Sequence, residues 1–93
     1  MAAKYLECKP TYISTATTTN IQVAGRNIYL HTVVIPIALT GTATFRDMAG
    51  SPVTYFVFPI GAVGTFTFDC DFPNGLDVVT SAGDKLIVNT IDN

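Results

Sequence analysis

Ninety-three residues make one domain and leave no room for a second core. Only 13% of them are charged while 48% are apolar, and the net charge is −2; soluble domains carry about 25% charged residues. That balance excludes a nucleic-acid surface: Lys4, Lys9, Arg26, Arg46 and Lys85 are scattered along the chain and form no basic stripe to neutralise phosphates.

A small globule cannot hide so large an apolar share inside itself. The surplus points to a membrane or to surface covered by other proteins. The longest apolar run, residues 33–39, is interrupted by Pro36, and a spanning helix needs roughly 20 apolar residues without such a break. Covered surface is therefore the reading. Residues 1–10 contain no apolar segment of the secretory kind, which points to a protein made and kept in a cytoplasm. Cys8 and Cys70 belong to no Cys-x-x-Cys pair and are expected to be free thiols, although the sequence leaves a bridge between them open.

Thr, Val and Ile supply 31 residues, against one Glu and one Gln. Branching at Cβ costs rotamer freedom in a helix and suits a pleated sheet. Gly and Pro recur at the spacing of an all-β sandwich or barrel. The chain is expected to form seven or eight strands and no helix of consequence, as an antiparallel β-sandwich that is immunoglobulin-like or jelly-roll-like.

Residues 1–19 read as an N-terminal arm or a first strand, and residues 20–93 as the single sandwich domain. Ile13 and Ile21 bracket the Thr-rich run 15–19, which is expected to be an exposed strand or the entry to one. Segments 21–24 and 28–35 flank Gly25-Arg26-Asn27, the pattern of a tight hairpin. The 28–35 strand is apolar on nearly both faces, with Ile28, Leu30 and Val34 opposing Tyr29, Val33 and Ile35. Such a strand is central, or its outer face is covered. Pro36 lacks an amide hydrogen and ends the pairing. Segment 42–47 alternates, residues 48–52 form a loop, and 53–58 is the partner strand. Residues 65–72 alternate strictly, with Phe66, Phe68, Cys70 and Phe72 on one face and Thr65, Thr67, Asp69 and Asp71 on the other. Turns at Asn74-Gly75 and at residues 81–84 then separate strands 76–80 and 85–91, so the last forty residues read as consecutive hairpins.

Chemistry-bearing residues are sparse. His31 is the only histidine, and mid-strand it is expected to be structural and hydrogen-bonded. One His and two distant Cys give no zinc site. Asp69 and Asp71 share a face, but calcium wants six to eight oxygens and a glycine-punctuated acidic loop. Residues 61–64 lack the lysine of a phosphate loop. No catalytic residue, cofactor or metal is expected. Contact surface is the remaining role, with Tyr29, His31, Val33, Ile35 and Ile37 as interface candidates and Tyr29 the preferred one. Asn74, Asp77 and Asp84, in or near loops, are the only residues suggesting a sugar site.

Three segments carry a family resemblance. Asn27-Ile28-Tyr29-Leu30-His31-Thr32-Val33-Val34 resembles an early core strand of small tailed-phage virion proteins. Gly41-Thr42-Ala43-Thr44-Phe45-Arg46-Asp47 resembles their next strand. Asn74-Gly75-Leu76-Asp77-Val78-Val79-Thr80-Ser81, within residues 72–88, resembles their C-terminal hairpin. The resemblance implies a non-enzymatic virion component assembled in the host cytoplasm, most often a head decoration (cement) protein. Its partners would be copies of itself, expected as a homotrimer, and the major capsid protein. A tail or head-fibre component that binds the host surface is the alternative.

Overall fold

The computed structural model describes residues 8–48 and 53–91. Eight strands form: β1 (Lys9–Ile13), β2 (Thr18–Gln22), β3 (Ile28–Ile35), β4 (Ala43–Asp47), β5 (Val53–Phe58), β6 (Gly64–Phe72), β7 (Leu76–Thr80) and β8 (Leu86–Ile91). Among the described residues there is no helix long and apolar enough to cross a membrane. The strands make two four-stranded antiparallel sheets, ordered β1-β8-β3-β6 and β2-β7-β4-β5.

That order has a simple origin. The chain doubles back once, between β4 and β5, and the two arms pair as β1 with β8, β2 with β7, β3 with β6 and β4 with β5. The resulting ribbon then rolls, bringing β3 beside β8 and β4 beside β7. This is a jelly roll, the second of the two sandwich topologies expected.

Period-2 alternation supplies the core. Ala43 and Phe45 from β4, Leu76 and Val78 from β7, and Leu86 and Val88 from β8 all point inward and are fully buried. Phe45 stacks on Phe56 of β5, with ring centroids 4.7 Å apart, and meets Phe58 edge-on at 5.7 Å. From the opposite sheet, Phe68 stacks on Phe56 at 4.4 Å and Phe66 tilts against Phe58 at 4.9 Å. Only Phe72 of the three β6 phenylalanines is fully buried; Phe66 and Phe68 are half-buried, because β6 is an edge strand.

Several expectations are corrected by this topology. β2 and β3 lie in different sheets, so residues 23–27 form a corner between sheets rather than a hairpin. β6, β7 and β8 likewise alternate between sheets, and among the described residues β4–β5 is the one pair of consecutive strands that is hydrogen-bonded. A Gly-containing turn is locally compatible with either outcome. The corner is chosen because it sets β7 and β8 at the centre of their sheets, each flanked on both sides.

The facing of β3 is also corrected. Ile28, Leu30, Val33 and Ile35 all point inward, because the register against β8 slips between Leu30 and Thr32. This bulge gives two inward residues on each side of one extra residue. β1 is the first strand of the fold, paired with β8, and β2 straddles the expected boundary at residue 19. The first seven residues of the expected arm, and residues 49–52 of the expected loop, lie outside the described residues.

Candidate interaction surface

The jelly roll gathers four connections at one end of the sandwich: residues 14–17, 36–42, 59–63 and 81–85. They are cross-tied. The amide of Leu39 donates to the Ala62 carbonyl (3.0 Å), and that of Gly61 donates to the Leu39 carbonyl (2.8 Å). Asp84 accepts from Thr40 through its amide and hydroxyl, both at 2.9 Å, and from the Gly41 amide at 2.9 Å. The two backbone hydrogen bonds hold the Asp84 carboxyl below its ordinary range. Asp77 is buried on β7, where Arg46 Nη2 donates to it at 2.9 Å and Asn20 Nδ2 at 3.0 Å. Two of the three residues that suggested a sugar site thus have their carboxylates engaged within the fold.

His31 stands on the outer face at a double irregularity. The β3 register slips there against β8, and also against β6. Opposite lies Asp69, with a φ of 47°, a left-handed conformation that Asp tolerates better than most residues. His31 Nδ1 donates to Asp69 Oδ1 at 2.5 Å; an ionised carboxylate has only lone pairs to offer, so the imidazole supplies the proton. His31 is therefore hydrogen-bonded, and it is also partly open to solvent. Tyr29, half-buried beside it, has its phenol raised by burial and by the charge and hydrogen bonding of Asp69.

Asp69 and Asp71 do not act together. Asp69 holds His31, while Asp71 accepts from Asn27 Nδ2 at 2.6 Å. Among the described residues, no three His, Cys, Asp or Glu side chains gather as a metal would require. Cys70 is partly buried and points toward the core, with its thiol pushed up by burial and then by Asp71 and Asp69. The geometry also closes the question of a bridge. β8 and β3 separate β1, which Cys8 directly precedes, from β6, which bears Cys70, a gap of roughly 14 Å at the usual strand spacing, while a disulfide needs Cα atoms within about 7 Å. Both thiols are free.

The interface candidates divide. Val33 and Ile35 are 0% exposed and belong to the core; the bulge in β3 turned them inward, so they offer nothing to a partner. Tyr29 and His31 are on the outer face of the first sheet. Ile37, in the 36–42 connection, is 62% exposed.

The largest apolar exposure lies elsewhere, and the sequence reading did not single it out. Val53, Tyr55 and Val57 of β5 and Val63 in the next connection are about half exposed, and Ile60 in that connection is more open still, at 68%. Ile37 sits in the connection hydrogen-bonded to theirs. Phe56, Ala62, Phe66, Phe68 and Cys70, apolar residues packed only part-buried against the core, come from the same side. One signal in the sequence marks it. From Met48 to Phe68 there are 21 consecutive residues without a formal charge. Contiguous exposed apolar area of this kind marks a contact surface.

No protein-family model matches the chain, and no curated protein matches it.

Proposed function

We propose that this protein is a structural module of a phage virion, most closely a head decoration protein that docks on the capsid lattice and braces neighbouring capsomers. The observation that supports this reading is the apolar side formed by β5, the 59–63 connection and the Phe66–Phe68 part of β6, which lie within the charge-free run 48–68. The resemblance of residues 27–91 to small tailed-phage virion proteins adds the setting. Bracing needs no reaction. It needs a rigid body and apolar area to cover, contributing about 25 cal/mol per Å² before ordering costs are subtracted. The jelly roll supplies the rigid body: its aromatic core spans both sheets, and the Asp84 and Leu39–Ala62 ties fix the connections at one end.

The test is made on particles. Heads assembled without this protein are expected to rupture at lower temperature than complete heads, and adding the purified protein back is expected to restore them. Heads equally stable in its absence, or density for it on the tail alone, would contradict the reading.

A further inference from the structure

β5 is an edge strand. Among the described residues its only neighbour in the sheet is β4, so half of its backbone hydrogen-bonding groups face outward. Natural edges of this kind are blunted by Lys, by Pro or by inward-pointing charge. β5 has none of these, since Val53-Thr54-Tyr55-Phe56-Val57-Phe58 contains neither charge nor proline. Its one protective device is a bulge at Tyr55, where the register against β4 slips between Phe45 and Arg46. The stretch from Phe56 to Phe58 is regular beyond it. There Val57 pairs with Thr44, on the face opposite its half-buried and buried neighbours Phe56 and Phe58.

We infer that the occupant of this edge is a second copy of the same chain, with β5 laid antiparallel to β5 of its partner across a two-fold axis. Two observations select a copy of itself. The first is electrostatic: with 21 uncharged residues around β5, self-pairing brings no like charges opposite one another in any register, the usual penalty against identical strands. The second is area. Val53, Tyr55, Val57, Ile60, Val63 and Ile37 together expose on the order of 600 Å², against about 800 Å² that each partner gives to an interface of standard size. Half-buried Phe56, Phe66 and Phe68 at the same open edge supply much of the remainder.

A two-fold seam is isologous, so an apolar strip meets its own copy. Three copies in a ring would instead need β5 to meet a different edge. The corresponding edge strand of the same sheet, β2, presents Thr18 and Asn20 to solvent, a polar surface that does not match the strip. Pairing through β5 is an alternative to the expected homotrimer. This inference rests on reading the β5 side as a docking surface, and it holds for the protein alone in solution.

The test is the mass of the full chain by light scattering at about 100 μM, above the micromolar dissociation constants at the weak end for interfaces of this size. A mass twice that of one chain is expected. Val57→Lys, an outward and half-exposed position, is expected to halve that mass with the melting transition retained, because it sets a charge at the seam on both partners. Ile60→Lys, in a connection rather than a strand, is the second variant should Val57→Lys not fold, and is expected to weaken pairing at least tenfold. Thr18→Lys on the opposite edge is expected to leave the dimer intact. A monomeric or trimeric mass for the unaltered chain, or a dimer that survives the folded variants at β5, would overturn the inference. A dimer whose loss leaves phage heads unaffected would overturn the virion reading alone.

Discussion

At the residue scale, the strongest local constraint is Gly75, in the turn between β6 and β7. Its φ is 104°, and a Cβ built there would lie 2.6 Å from the Val23 carbonyl oxygen and 2.9 Å from that of Gln22. The turn is packed directly onto the neighbouring corner, whose Gly25 amide donates to the Asn74 carbonyl at 3.0 Å. Gly75→Ala meets both a forbidden backbone region and a backbone clash, and is expected to cost roughly 2 kcal/mol or more. In a domain of this size the melting temperature should fall by about 10 °C. An unchanged melting temperature would show that the corner does not pack as described.

Asp84 contributes a pH dependence to the fold. Its carboxyl is held down by hydrogen bonds from the Thr40 and Gly41 amides, so the folded state prefers the ionised form more than the unfolded chain does. The stabilisation is fully present above the unfolded value, near pH 4, and is lost as pH falls through the lower folded value. Asp84→Asn is therefore expected to melt at lower temperature than the natural protein at pH 7. The gap between the two should narrow below pH 4. Parallel pH profiles for the two proteins would contradict the clamp.

At the scale of elements, most strand positions are legible in the chain. β3, β5 and β7 begin and end where alternation and Gly or Pro place them, and β6 carries the expected split between phenylalanine and polar faces. Parity failed in one place, β3, because a single extra residue at His31 resets the inward phase. Nothing in Leu30-His31-Thr32 signals that bulge; it is created by pairing with β8 and β6, which are distant in the chain. The same limit hid the partners of β2, β7 and β8. A turn such as Asn74-Gly75 encodes a reversal of direction, whereas the choice between hairpin and corner depends on which sheet has a place for the next strand.

The aromatic contacts between sheets allow a graded prediction. Phe45 is fully buried between Phe56 and Phe58, so Phe45→Ala is expected to destabilise by about 3–5 kcal/mol. Phe56 is only half-buried at the open edge, and Phe56→Ala should cost clearly less in the isolated chain. Denaturant titration of both variants checks the order; equal losses would mean that the β5 edge is closed rather than open.

For the whole molecule, the low share of charge in the sequence correctly announced apolar surface, but not where it lies. Attention to β3 as an element apolar on both faces led to Val33 and Ile35, which the fold buries. The informative signal was the absence of charge over residues 48–68, since an edge strand without charge lacks the commonest means of keeping another strand away. The jelly roll explains why this matters. Rolling a paired ribbon leaves four edge strands. On the β1 and β2 side, the nearby strands carry Lys9 and a run of Thr. Tyr12 and Val23 are also exposed there, but the β5 and β6 side carries the phenylalanines and most of the exposed valines and isoleucines.

Hydrogen exchange of the backbone amides, followed as protein concentration is raised, tests the role of that side most directly. Amides of Val53–Phe58 should exchange progressively more slowly as copies associate, while those of Thr18–Gln22 on the far edge stay unchanged. Exchange at β5 that does not respond to concentration, or a slowing confined to β2, would contradict a docking surface at β5.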